Sequence, residues 1–399
     1  MKGFLGPRGP LGLLGILGLL GVLGCSSDEE GAKEEVRQTV ELMPCALSYV
    51  EEESSLTRAW TPPTGYKLYN DATLNGQFES QKNLTNKSIG AFFTQDAGGP
   101  FNQETFYFHG DKWQLSMEEL ERTTYYVYGF IPNEVVTSAT ISGNSIYSDG
   151  AVLTLNGVKT VTPNDLCVIV GAKNGNSLND DRTGTGDDIK RLQTGLFAVE
   201  TQASSIDSPG SGNYIFLLFD HLYSAIRFNF TVGEKYDALR TIKLRKLEMI
   251  SYKADGSTKD KAKYTVTVTL KSNTTGASPI TSITYEPDND SGEAVYEPLF
   301  SGEETLEHGQ YTPFMGCFVP GQSTRFMLRS IYDVYDKEGN MIRKECLAEN
   351  YIDLPSLFYV TEMKRGHIYS INLTVQPTYL HVLSDPDLDN PTVAVKSEE

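Results

Sequence analysis

Apolar and polar residues alternate along much of this chain. The clearest run is Tyr264-Thr265-Val266-Thr267-Val268-Thr269-Leu270, with Tyr264, Val266, Val268 and Leu270 on one face and three threonines on the other. A period of two belongs to a strand with one buried and one wet side. Less regular alternation predicts further strands over 123–130, 151–155, 166–170, 224–230, 324–335 and 367–375. Glycine, proline and Asn/Asp clusters punctuate the chain between them, as the turns of a β-sandwich do. Asp336-Lys337-Glu338-Gly339-Asn340 predicts a hairpin turn joining 331–335 to 341–346. Helical signals are confined to 116–122 and 236–240, a turn or two each.

A chain of 399 residues exceeds what one core usually holds, so two domains are expected. The polar stretch 204–213, reading SSIDSPGSGN, carries Pro209 between small and polar residues and divides two strand-rich halves. It predicts a linker at 206–213 between one sandwich at 59–205 and another at 214–377. The polar loop 173–190 reads as an insertion within the first.

Both ends depart from this pattern. Lys2 and Arg8 precede an apolar, glycine-interrupted run too short to span a membrane, and it ends in Val22-Leu23-Gly24-Cys25. Residues 1–24 therefore read as a secretory signal, and the last four resemble a bacterial lipobox, which implies lipidation of Cys25. Ser26-Ser27-Asp28-Glu29-Glu30 resembles the acidic signal for export to the outer face of the outer membrane. Next comes a strand-like stretch with Val40, Leu42, Leu47 and Tyr49, interrupted by Pro44. Proline confines a strand to an edge or a bulge, so an edge strand is expected here. Arg58-Ala59 follows in a polar segment before Pro62-Pro63, a natural place for a trypsin-like or arginine-specific protease to cut. Arg37 is a second candidate. At the other end Pro377 breaks the last long strand. Tyr379, Leu380, His381, Val382 and Leu383, then Val393 and Val395, resume strand character over 378–399. Such a tail either pairs within its own domain or fills a groove in a neighbouring subunit.

Composition narrows the function classes. The formal charge of −18 becomes −20 once Lys2 and Arg8 leave with the signal, so nucleic acid is not an expected partner. Cys45, Cys167, Cys317 and Cys346 are scattered without a CxxC pair or a nearby histidine, and buried free thiols are expected rather than a metal site. The five histidines show no paired metal spacing, and no GxSxG elbow is present. Asp385, Asp387 and Asp389 imitate a calcium loop, but Asn390 stands at the glycine position and Lys396 at the bidentate one. Neither an enzyme nor a cofactor is expected. The 22 Tyr and 18 Phe, lying in alternating runs, read as core.

Taken together, the lipobox, the Arg58-Ala59 segment, Thr124 through Pro132 (TYYVYGFIP), Leu153-Thr154-Leu155, Val161 through Asp165 (VTPND), Phe219-Asp220-His221-Leu222 and Pro377-Thr378-Tyr379-Leu380 resemble the fimbrillin family of the Bacteroidales, the subunits of type V pili. The resemblance spans essentially the whole chain. It implies an all-β fold of two tandem transthyretin-like, Greek-key sandwiches with few short helices. It further implies a propeptide at 25–58, removed by an arginine-specific protease between Arg58 and Ala59, and assembly with other fimbrial subunits by donor-strand exchange. Val40, Leu42, Leu47 and Tyr49 would belong to the displaced strand, and the tail residues from Tyr379 to Val395 to the donor. The expected place is the outer membrane by lipid before cleavage and a surface fimbria after it, with host or bacterial surface ligands as targets. The alternative is a monomeric surface lipoprotein that binds glycan or host protein through its inter-strand loops.

Overall fold

Alternation becomes burial in the structure, a computed structural model describing residues 38–46, 49–51, 67–68, 88–96, 101–109, 112–117, 124–143, 146–175, 194–200, 213–273, 278–321 and 325–376. The described strands form four sheets, mostly antiparallel, with two short helices, α1 (Glu234–Asp237) and α2 (Leu354–Phe358). The fold is an all-β sandwich.

The first sheet contains β1 (Gln38–Ala46), β3 (Lys67–Leu68), β4 (Ser88–Thr94), β5 (Phe101–His109), β6 (Lys112–Met117), β7 (Thr124–Ile131), β11 (Cys167–Gly175), β12 (Ala198–Glu200) and β13 (Asn213–His221). Its main order is β11-β13-β1-β6-β5-β4-β7-β12, with β3 beside β1 and β11 also pairing β7. A second sheet, β17-β16-β9-β8, is built from β8 (Ser138–Gly143), β9 (Gly150–Lys159), β16 (Lys263–Lys271) and β17 (Ile280–Pro287). Phe92, Tyr128, Val168 and Phe216 from the first sheet share one core with Leu153, Leu155, Val266 and Val268 from the second. On β16 the sequence pattern is met residue by residue: Tyr264, Val266, Val268 and Leu270 are buried, while the threonines between them are half-buried.

A second core lies between two further sheets. One runs β10-β19-β14-β22-β2, from β2 (Val50–Glu51), β10 (Val161–Thr162), β14 (Ser224–Val232), β19 (Thr312–Phe318) and β22 (His367–Val375). The other runs β18-β15-β20-β21, from β15 (Thr241–Tyr252), β18 (Glu297–Leu306), β20 (Arg325–Tyr335) and β21 (Met341–Asp353). Ile226, Phe228, Phe318 and Tyr369 meet Ile242, Leu244, Phe326 and Leu328 there. The expected hairpin turn joins β20 to β21. Asp336 Oδ1 accepts from the backbone N–H of Glu338 and Asn340, and Gly339 takes the left-handed φ of 89° that the turn requires.

The division between cores does not fall at 206–213 as the sequence suggested. β13 follows that stretch yet belongs to the first sheet, and the strand that leaves that sheet after it, β14, begins only at Ser224. β16 and β17, far into the second half, join β9 in the first sandwich, and β10 from the first half pairs β19 in the second. Polar composition marks where a loop meets water. It does not specify which sheet edge the next strand will join.

Candidate functional site

The first described strand is not at an edge. β1 runs parallel to β13 from Val40↔Asn213 to Ala46↔Phe219, and antiparallel to β6 from Gln38↔Met117 to Leu42↔Trp113. This corrects the edge placement read from Pro44. The ladder to β6 ends at Leu42, and the pairing with β3 starts only at Cys45. Among the described residues neither Met43 nor Pro44 has a ladder partner on that side, and an interior strand can carry a residue without a backbone N–H there. Leu42 is fully buried, a burial of roughly 1.5–3 kcal/mol. The wall it rests against is among the driest in the molecule, since Ile215, Phe216, Leu217, Leu218 and Phe219 of β13 are all buried.

The same segment then crosses to the second core. Val50 and Glu51 of β2 pair parallel with His367 and Ile368 of β22. Between the two strands, Tyr49 lays its ring on the His221 imidazole, with centroids 3.8 Å apart and planes 20° from parallel. Its hydroxyl lies 3.9 Å from Cys317 Sγ and hydrogen-bonds with Asp165. Burial, and then the charge of Asp165, push the Tyr49 hydroxyl well above the usual tyrosine range.

Beneath Tyr49 lies a buried polar cluster whose assembly follows from strand geometry. Cys167 opens β11 and stands directly opposite His221, the last residue of β13. Asp165 precedes Cys167 by two residues, the spacing that returns a side chain to the same face. His221 Nδ1 is 2.6 Å from Asp165 Oδ2 and 3.4 Å from Cys167 Sγ, and Cys167 Sγ is 3.4 Å from the same Oδ2. All three residues are fully buried. Burial and the Asp165 charge push the Cys167 thiol well up. Both neighbours meet one ring nitrogen, whereas a nucleophile relay divides base and orienting contact between the two nitrogens. Around the cluster, Arg365 Nη1 donates to Asp220 Oδ2 at 2.8 Å and to the His221 carbonyl at 2.9 Å. Tyr285 Oη donates to the Leu222 carbonyl at 2.7 Å.

Of the residues singled out in the sequence, Leu42 belongs to the first core and Tyr49 packs against it, and Val40 stands in β1 opposite Asn213 and Leu115. Cys25, Leu47, Arg58, Ala59 and the tail residues Tyr379, Leu380, His381, Val382, Leu383, Val393 and Val395 lie outside the described residues. Cys167 and Cys317 are buried free thiols, as expected, and Cys346 is a half-buried one. Sequence reasoning missed the Asp165–Cys167–His221 grouping because His221 lies 56 residues from Asp165. The available signal was the Asp165-x-Cys167 alternation entering a strand, together with a histidine ending an apolar one.

Two sandwiches linked by a crossing N-terminal segment define the class of molecule: an all-β protein whose first strand sits inside a sheet. No family model matches the chain, and no curated protein matches it. Among solved structures it is similar to a candidate cell adhesion protein from Bacteroides fragilis, at 11% identity over 86% of this chain and 94% of that one, with a TM-score of 0.40. A candidate cell adhesion protein from Bacteroides uniformis gives 12% identity over 73% and 86%, with a TM-score of 0.33. The fimbrial anchor protein Mfa2 from Porphyromonas gingivalis gives 10% identity over 84% and 90%, with a TM-score of 0.27. Overlaps of this size leave the function to be read from this chain's own residues.

Proposed function

We propose that this chain is a structural subunit of a cell-surface fimbria, stalk or accessory, in which β1 gives up its seat to a strand from another copy. The protein is exported as a lipoprotein on Cys25, and an arginine-specific protease cuts between Arg58 and Ala59. The released piece takes β1, Tyr49 and β2 with it, while β3 stays. The tail of another copy, through Tyr379, Leu380, His381, Val382, Leu383, Val393 and Val395, then fills the slot between β13 and β6. The resulting fibre supports adhesion to host or bacterial surfaces.

The observation that supports this reading is the seat itself. β1 has strands on both sides, and one cut between β2 and β3 separates it from the rest of the fold. An emptied slot leaves two rows of unpaired backbone groups and the apolar wall of β13, at roughly 1–3 kcal/mol for each buried group left without a partner. A donor strand restores both ladders, which is β-strand addition. Burial of about four inward side chains, near 10 kcal/mol in all, is nearly cancelled by ordering about eight residues. The restored hydrogen bonds on two sides decide the sign, and an interior slot supplies twice what an edge would.

Mass spectrometry of native cell-surface material tests this. The expected assembled species begins at Ala59, and the uncut precursor carries lipid on Cys25. Fibres that retain 25–58 would rule the exchange out. Uncut lipid-anchored monomers alone would favour a surface-binding protein acting through its loops.

A further inference from the structure

We propose that Asp165 Oδ2, Cys167 Sγ and His221 Nδ1 form a binding site for a single divalent cation of the zinc class, with Tyr49 as its lid. Among the described residues this is the one grouping of three such ligands, and all three are buried. A triangle with sides of 2.6, 3.4 and 3.4 Å has its centre about 1.8 Å from each corner. Zinc bonds run at roughly 2.0–2.3 Å, so a cation about 1 Å out of that plane reaches all three atoms with little movement. Sulfur, imidazole and carboxylate together suit zinc or cobalt rather than magnesium or calcium.

Charge supports the same assignment. One carboxylate, one thiolate and a neutral imidazole balance a dication, so the loaded site is neutral and can remain buried. Binding replaces the Cys167 S–H bond by a metal–sulfur bond and releases that proton to solvent. It also removes the proton from between His221 and Asp165 wherever one is held there. Three protein ligands leave a fourth position on such a cation, and Tyr49 covers the cluster, with its ring on His221 and its hydroxyl toward Asp165. Departure of the β1–β2 segment would open that position to water, but loading of the uncut chain does not depend on strand exchange.

The test refolds the uncut full chain with cobalt(II) or zinc(II), removes excess metal, and measures bound metal and visible absorption. The expected result is close to one equivalent per chain, with cobalt–thiolate absorption that Cys167→Ser abolishes and Cys346→Ser leaves intact. Should Cys167→Ser fail to fold, alkylation of the unmodified chain under mild denaturant gives a second readout. Zinc should slow modification of Cys167 at least tenfold and leave Cys346 unchanged. Uptake below a tenth of an equivalent, or absorption and protection that track another cysteine, would overturn the proposal.

Discussion

In the first sandwich β13 lies between antiparallel β11 and parallel β1, and in the second β14 lies between antiparallel β19 and parallel β22. The two cores thus take the same kind of parallel neighbour from opposite ends of the chain. They differ on the far side of that neighbour. β1 meets β6 there, so its removal opens a slot with two walls. β22 meets only Val50 and Glu51 at its start, and from Tyr369 to Val375 no described strand covers its outer side. Among the described residues, then, β1 is lodged between two strands, whereas most of β22 has a partner on one side alone.

Substitutions can break or sharpen this contrast. The largest effect is expected for Leu42→Ala, which should cost about 2–5 kcal/mol in urea unfolding of the uncut chain. Ile371→Ala on β22 removes a half-buried side chain and should cost only about 1 kcal/mol. Equal losses would mean that the two strands are lodged alike. Arg365→Gln comes next. It breaks the ion pair to Asp220 and the bond to the His221 carbonyl that tie the approach to β22 to the end of β13, and about 1–3 kcal/mol should be lost. Tyr49→Phe keeps the ring on His221 and removes the hydroxyl, for about 0.5–1.5 kcal/mol by thermal unfolding. Deleting residues 378–399 should change the stability of the uncut monomer by less than about 0.5 kcal/mol while abolishing assembly. A large destabilisation instead would show that the tail already completes its own domain.

The sequence exposed what depends on local period and turn chemistry. The faces of β16, the extent of β22 and the Asp336 hairpin follow from residues a few positions apart. Position within a sheet depends on which distant strand arrives alongside, and here the local rule misled. Pro44 argued for an edge, but β1 is interior, and among the described residues Pro44 falls between the β6 and β3 pairings, where its missing N–H breaks no ladder bond. The same limit hid the change of sheet after β13, since the polar stretch before β13 says nothing about β13's partners. It also hid the cluster under Tyr49, which exists only because the β11–β13 register sets Cys167 opposite His221. The aromatic reading holds in part: Phe92, Phe93, Tyr125, Tyr128 and Phe216 are buried in the core, whereas Tyr107, Tyr311, Tyr351 and Tyr359 are exposed.

Whether β1 can be exchanged is decided most directly by cutting the purified, tail-intact chain with an arginine-specific protease and following its mass by light scattering. Cleavage at Arg58 should convert monomers into oligomers that lose 25–58, and a synthetic peptide spanning 378–399 should cap that growth. A cleaved chain that stays monomeric, with β1 still lodged between β13 and β6, would contradict the exchange.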